Sequence, residues 1–336
     1  MKSIRTYLIT GALAAINMAS DALNLNLISD QTLTEYVASQ IQQPKDKSQW
    51  LGYQVAAAEN TTSMCCWERG NKGEEDSVCD LNKLTGSFGS NSQDGLTENI
   101  RIFVNVKAGE VNQIIPTGDA CPVVAEGITV DWIDGISNQE SINWLAHQAE
   151  LKGDENGSLY TLAMHQGKAA ASALSQLAKK QGEHANSAVF WLGQRHHDGV
   201  PFLKGLLSDL PQGELRKSIN FALSQNRQPE ALEALYGVAR NGADQSQQAD
   251  AIFWLSQVQD KGEVVPFLMS ILKDSDNNEL SEKVIFSLSQ LNMDVANNAL
   301  FEILKGDYDR EVKKQALFWL SQSDNEKVSD QLAALL

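Results

Sequence analysis

Phe318-Trp319-Leu320-Ser321-Gln322 closes a series that opens at Phe190-Trp191-Leu192-Gly193-Gln194. Between them stand Phe221-Ala222-Leu223-Ser224-Gln225, Phe253-Trp254-Leu255-Ser256-Gln257 and Phe286-Ser287-Leu288-Ser289-Gln290. Successive phenylalanines are 31, 32, 33 and 32 positions apart. Recurrence at so constant a spacing marks a repeated supersecondary unit. Apolar residues precede the phenylalanine, as at Ala251-Ile252 and Ala316-Leu317, so the segment reads as a helix apolar on most sides. Such a helix belongs between two layers of neighbours. A second amphipathic segment follows in each unit: Pro201-Phe202-Leu203 with Leu206-Leu207, Pro266-Phe267-Leu268 with Ile271-Leu272, and Ala299-Leu300 with Ile303-Leu304. Proline is tolerated in a first helical turn, where its missing N–H has no partner anyway. Linkers such as Asp274-Ser275-Asp276-Asn277 and Asp307-Tyr308-Asp309 offer N-caps to the next helix. Helix pairs that cannot bury their apolar faces alone must stack, and the expected fold is mainly α, an α-solenoid.

Upstream the pattern decays. Ser141-Ile142-Asn143-Trp144-Leu145 echoes Ser218-Ile219-Asn220-Phe221, and Leu159 to Gln166 followed by Ala169 to Ala178 reads as a degenerate pair. Before about Ser137 the period is that of strands. Ile102, Val104 and Val106 alternate with their neighbours, Lys107-Ala108-Gly109-Glu110 turns, and Val111 to Ile115 returns as a hairpin. Gly127 to Trp132 is a further strand, and Leu33, Tyr36, Val37 and Ile41 place a short helix within Thr32 to Gln42. Glu68 to Gln93, rich in Gly, Ser, Asn and acidic residues, reads as a surface loop.

The start of the chain reads as an export signal. Lys2 and Arg5 precede the apolar stretch Tyr7 to Ile16, and Ser20 and Ala22 supply the small residues that cleavage after Ala22 requires. The expected division is 1–22 signal peptide, 23–136 small β-rich Cys-containing domain and 137–336 repeats, with the mature chain periplasmic or extracellular. Four cysteines, Cys65, Cys66, Cys79 and Cys121, in an oxidising compartment point to two disulfides. Neighbours rarely pair, so Cys65 and Cys66 reach Cys79 and Cys121 in an order the spacing leaves open. The rival reading, a thiolate metal site or a redox pair, lacks CxxC spacing.

The net charge of −16 excludes a general nucleic-acid binder, since no basic excess exists to neutralise phosphates. No apolar run reaches the roughly 20 residues of a spanning helix, so membrane insertion is not expected. From Ser137 onward 26 acidic residues face 18 basic ones, which favours a partner of basic or extended character.

The run Lys313-Lys314-Gln315-Ala316-Leu317-Phe318-Trp319-Leu320-Ser321-Gln322 resembles the pattern of bacterial HEAT-repeat proteins. More specifically, the chain is similar to an exported bacterial group that joins a small Cys-containing N-terminal domain to such repeats. The matching residues are Gly52-Tyr53-Gln54-Val55, Cys65-Cys66-Trp67, Asp119-Ala120-Cys121-Pro122 and the segment Trp132 to Trp144. The resemblance implies a right-handed α-solenoid of HEAT-like helix pairs, armadillo-type in class, behind a small disulfide-linked β-rich domain. It implies a protein-binding scaffold and carries over no activity; with no catalytic motif in the sequence, a non-enzyme without cofactor is expected. Phe221-Ala222 and Phe286-Ser287 lack the tryptophan, which interrupts any surface built on it. Two alternatives come from other classes: an enzyme or enzyme subunit like the HEAT-like bilin lyases, and an envelope stress or assembly factor that senses redox state through its cysteines.

Candidate residues follow from the repeat. Gln194, Gln225, Gln257, Gln290 and Gln322 stack at equivalent places, and the favoured reading is a ladder whose side chains bond backbone of their own or the next repeat. Trp191, Trp254 and Trp319 sit beside a phenylalanine expected to be buried. They read as core, or alternatively as anchors for a partner. The expected contact surface is that of the second helices from Pro201 to Leu304, with Phe202 and Phe267 on it. Arg195-His196-His197-Asp198 reads as a solvated helix end before a metal site. Glu74-Glu75-Asp76 with Asp80 reads as a solvated acidic loop before a calcium site. No G-x-S-x-G, H-E-x-x-H or phosphate-cradling loop occurs.

Overall fold

Alternating side chains build the first part of the chain and helical spacing builds the second. The computed structural model describes residues 22–42, 48–66, 78–83, 88–90, 95–210, 213–258, 262–274, 278–291 and 294–334. The export segment up to Asp21, the acidic group Glu74-Glu75-Asp76, the linker Ser275-Asp276-Asn277 and most of the Glu68 to Gln93 loop lie outside them. The chain divides after Ile136 into two compact units.

In the first unit, β1 (Ala22–Ile28), α1 (Leu33–Gln42) and β2 (Gln49–Ala56) are followed by β3 (Met64–Cys66), β4 (Cys79–Asp80) and β5 (Phe88–Ser90). Then come β6 (Asn99–Lys107), β7 (Glu110–Gly118) and β8 (Val123–Ile133). The main sheet runs β1-β8-β2-β6-β7, with β4 also on β8, while β3 and β5 form a separate ribbon. β8 lies parallel to β1 and β2, whereas β2, β6 and β7 are antiparallel. The expected hairpin is β6–β7, and Ala108 and Gly109 turn it with φ of 52° and 80°. Two consecutive positive φ values match the twist of paired strands, and the glycine adopts one without steric cost. Thr32 and Glu35 exchange backbone-to-side-chain bonds at 3.2 Å, a capping box that starts α1, which buries Leu33, Tyr36 and Val37.

The core of this unit packs Trp50, Phe103 and Trp132 around the Cys65–Cys121 disulfide, whose Cα atoms are 5.1 Å apart. Cys79 is also disulfide-bonded and is fully buried; the side chain of Cys66 lies outside the described residues. The Trp132 ring lies over Gly52, where a Cβ would come within 2.9 Å of it, so β2 needs glycine at that crossing.

In the second unit every connection is between helices. They are α2 (Asn138–Lys152), α3 (Ser158–Ala163), α4 (Lys168–Lys179), α5 (Ala185–Gln194), α6 (His196–Asp209), α7 (Glu214–Gln225) and α8 (Pro229–Asn241). They continue as α9 (Gln245–Leu255), α10 (Val264–Asp274), α11 (Asn278–Gln290), α12 (Asp294–Lys305), α13 (Arg310–Ser321) and α14 (Glu326–Ala333). Odd-numbered helices pack on one another as a row, α3 on α5, α5 on α7, and onward to α13. Each is followed by an even-numbered helix of a second row, as α4 packs on α6 and α10 on α12. These are stacked helix pairs of HEAT-like kind, and α3–α4 is the degenerate pair expected from the sequence. One expectation is corrected: α2 packs on α4, so the segment around Trp144 belongs to the second row despite its echo of α7.

Candidate docking surface

Successive helical residues point about 100° apart. Setting the motif phenylalanine at zero, the leucine two positions on and the residues one and two before the phenylalanine all point roughly to the opposite side. Those positions are buried except for Leu317, 45% exposed in the last unit, and Leu192, Leu223, Leu255, Leu288 and Leu320 are at most 1% exposed. The phenylalanine therefore faces away from the core. Phe190 and Phe318 are exposed, and Phe221, Phe253 and Phe286 are half-buried. The expectation of a fully buried phenylalanine is corrected on this ground.

Turned outward, the rings find each other. Tyr160 meets Trp191 with centroids 4.8 Å apart, and Trp191 meets Phe190 at 4.9 Å. Phe190 stacks on Phe221 at 6.3 Å, and Phe221 packs on Trp254 at 4.8 Å. Trp254 touches Phe253 at 5.0 Å, which stacks on Phe286 at 6.2 Å. Phe286 packs on Trp319 at 5.2 Å, and Trp319 on Phe318 at 5.1 Å. The result is one unbroken ladder along the row from α3 to α13. The units without tryptophan do not interrupt it. Ala222 and Ser287 are buried at that position, and the next unit's tryptophan covers the phenylalanine instead. Trp191 also donates its Nε1–H to Asp154 at 2.9 Å.

The rest of the motif closes the helix. Ser224, Ser256, Ser289 and Ser321 each donate a hydroxyl to the carbonyl of their motif phenylalanine, at 2.6 to 2.7 Å. In the first unit Gly193 replaces serine because α7 crosses closely there; a Cβ would lie 2.8 Å from that of Ala222. The glutamine ladder is corrected. Gln194, Gln225, Gln257, Gln290 and Gln322 are all exposed, and Gln225, Gln257 and Gln290 donate to the adjacent serine rather than to the next repeat. Their direction lies beside the phenylalanine, outside the core.

Stitching between repeats falls one residue later. Asn226 donates to the carbonyl of Gly193 at 2.9 Å, in the preceding unit. Arg195, 5% exposed, bonds the carbonyls of Ala163, His165 and Gly167 and holds Asp198 through Nε and Nη2 at 2.9 and 2.7 Å. The string Arg195-His196-His197-Asp198 is thus anchored by a buried guanidinium, which corrects its reading as a solvated end; His197 alone is exposed, and the side chain of His196 lies outside the described residues. Among the described residues no group of three His, Cys, Asp or Glu could hold a metal.

His165 is fully buried beneath this stitch. The Thr161 carbonyl, which can only accept, sits 2.9 Å from Nδ1, so that nitrogen carries the proton and Nε2 accepts from the Ser141 hydroxyl at 2.7 Å. Burial, with the Arg195 charge beside it, pushes the imidazole pKa down to about 4. A serine bonded to a neutral histidine has the makings of a nucleophile and its base. Both are 0% exposed here, so neither meets a substrate.

On the second row, Phe202 and Phe267 are half-buried. Phe267 packs on Tyr236 at 4.4 Å with Arg240 over its ring at 5.0 Å, so its faces are already used. A polar hollow opens instead on the first row, between the starts of α7 and α9, lined by Lys217, Asn220, Asp244 and Gln247 among others. Asp250 beside it accepts from Asn220 Nδ2 at 2.9 Å, and burial raises its pKa. Nothing in the sequence singles these residues out until the repeats are aligned on the phenylalanine.

No family model and no curated protein matches the chain. Among solved structures, the complex of CpcE and CpcF of phycocyanin lyase from Nostoc sp. is similar over 47% of this chain and 100% of its own, with 20% identity and a TM-score of 0.35. Human deoxyhypusine hydroxylase in complex with glycerol is similar over 58% of this chain and 93% of its own, with 16% identity and a TM-score of 0.25. Both are HEAT-like helical proteins. At these TM-scores neither bears on activity, ligand or partner, and the helix-pair fold rests on the chain's own packing. Among the described residues no helix is long and apolar enough to cross a membrane.

Proposed function

We propose that this chain is a non-enzymatic adaptor, a right-handed HEAT-like solenoid that binds another protein along its first row of helices. One observation carries the reading: the motif phenylalanines face away from the core and join in one ladder, with Phe190 37% and Phe318 51% exposed. Aromatic side chains supply large, rigid contact area and are enriched among interface anchors. The acidic excess of the repeats favours a basic or extended partner.

We further infer that the protein is exported, with 1–22 as signal, 23–136 as the β-rich domain and 137–336 as the repeats. Lys2, Arg5 and the apolar stretch that follows support this, and so does the oxidised Cys65–Cys121 pair. Cleavage after Ala22 would leave β1 nearly whole. A lyase-type enzyme remains the alternative from another class, marked by a coloured cofactor on the purified protein. Redox sensing is disfavoured by the burial of Cys65 and Cys121, 3% and 2% exposed.

The test is co-purification from envelope extract of the wild type and of a Phe190→Ser, Phe318→Ser double variant. Loss of one specific protein at unchanged Tm supports docking on the ladder. Retention of that protein by the folded double variant would overturn it.

A further inference from the structure

The repeat supplies its own control. Immediately before the motif phenylalanine stand Val189, Ile252, Ile285 and Leu317 in four units, and Asn220 in the other. Six positions before it stand Leu215, Leu280 and Val312 in three units, His184 in the α5 unit and Gln247 in the α9 unit. Of these polar residues His184 is half-buried, whereas Asn220 and Gln247 are buried, at 1% and 7% exposure. Asn220 spends its amide nitrogen on Asp250 at 2.9 Å, and Gln247 bonds Asp244 at 3.2 Å. Each is left with a buried side-chain oxygen, Oδ1 and Oε1, that has no hydrogen bond. An unpaired buried acceptor destabilises a fold. A break with the local rule that lacks an internal compensation points to function.

Both breaks fall on one place. Asn220 and Gln247 line the same hollow of about 110 Å³ between α7 and α9, together with Gly213, Glu214, Lys217 and Asp244. Amide oxygens only accept, so what completes them must donate. Lys217 is already paired with Glu214 at 2.9 Å, and Lys283 lies over the Phe286 ring at 5.5 Å. Both lysines also act on Asp250, so the sign of the field is set by the lining carboxylates of Glu214 and Asp244 against the one lining ammonium, that of Lys217. The volume takes a head group; small-molecule pockets are several times larger, roughly 300–1,000 Å³.

We propose that the hollow between α7 and α9 receives a cationic nitrogen head group, guanidinium or primary ammonium, from an Arg or Lys side chain of an extended partner segment lying along the ladder. The partner half rests on the docking function proposed above. The pocket half is testable without any partner.

The experiment titrates the isotope-labelled full chain with N-acetyl-arginine amide, N-acetyl-lysine amide and, as the neutral isostere, N-acetyl-citrulline amide, following the side-chain amide signals of Asn220 and Gln247. A saturable shift with a cationic probe is expected, at least tenfold weaker with citrulline; the arginine and lysine arms tell the two head groups apart. Asn220→Val and Gln247→Leu restore the repeat's own residues, so binding is expected to fall at least tenfold, with Tm unchanged or raised in Gln247→Leu; Asn220→Val also removes the donor to Asp250, which offsets its gain. Loss of binding in either variant at wild-type Tm supports the pocket even if the other is unstable. Equal shifts with citrulline, no saturation with either cation, undiminished binding in both variants, or a lowered Tm in both would overturn it. If the probes fail while the ladder variant still loses its partner, the pocket falls and the docking surface stands.

Discussion

The rings of Phe253 and Phe286 lie 10° from parallel with centroids 6.2 Å apart, although 33 positions separate them in the chain. Phe190 and Phe221 repeat the relationship at 13° and 6.3 Å. Between these stacks Trp254 packs on the ring of Phe221, and beyond them Trp319 packs on that of Phe286. The motif therefore has two jobs on one helix turn: its leucine enters the core, and its phenylalanine builds a surface.

This division predicts unequal costs. Leu288→Ala, at a fully buried site, should lower stability by about 2–5 kcal/mol. Phe286→Ala, half-buried and held mainly by ring contacts, should cost about 1–2 kcal/mol. Urea denaturation of the full chain measures both. Equal losses would place the phenylalanine in the core.

Arg195 tests the polar stitch. Its planar fork bonds three carbonyls and both oxygens of Asp198, a set that a lysine ammonium cannot match. Arg195→Lys should therefore destabilise the repeats by about 2–3 kcal/mol despite keeping the charge. A loss within ~0.5 kcal/mol, the range of ordinary surface changes, would deny the fork its role.

His165 predicts a pH dependence. Its folded pKa of about 4 lies below the ordinary 6.5, so the unfolded chain takes up the proton first as pH falls. The contribution is whole above pH 6.5, is lost progressively from there to about pH 4, and falls no further below that. At about 1.4 kcal/mol per pKa unit the total is on the order of 3 kcal/mol. Chemical denaturation of wild type and His165→Gln across this range should show the slope only in the wild type. The same slope in both would assign it to other groups.

Cys121→Ser removes a crosslink buried in the β-rich core. A loss of about 2–5 kcal/mol is expected, confined to residues 23–136, with α-helical signal retained at temperatures where the sheet has melted. Unchanged stability together with ready reduction of the bond in the native protein would instead favour redox sensing.

The helix pairs were legible in the sequence because a 32-residue recurrence leaves stacking as the way to bury both faces. The hairpin at Ala108-Gly109 was legible for an equally local reason. Strand β1 was missed although Leu23, Leu25 and Leu27 alternate with Asn24 and Asn26; those asparagines bond Thr129 and Asp131, a partner strand far along the chain. The glutamine ladder was misread by taking conservation of spacing for burial. Angular position decides burial, and the same helical wheel that buries Leu255 turns Phe253 and Gln257 outward. Asn226 escaped notice, and Arg195 was read only as part of a solvated helix end, because two of the three equivalent later positions are the apolar Val258 and Leu291. The polar hollow is visible only against the consensus of its own repeats.

Site-specific photo-crosslinking in intact cells tests the central claim most directly. A photoreactive residue is placed at Gln225 or Gln290, exposed beside the ladder, and in separate strains at Lys204 or Lys273, exposed on α6 and α10. Docking on the first row predicts one common protein adduct from Gln225 and Gln290 and little or none from Lys204 and Lys273. The same adduct arising from Lys204 and Lys273, with none from the ladder positions, would contradict it.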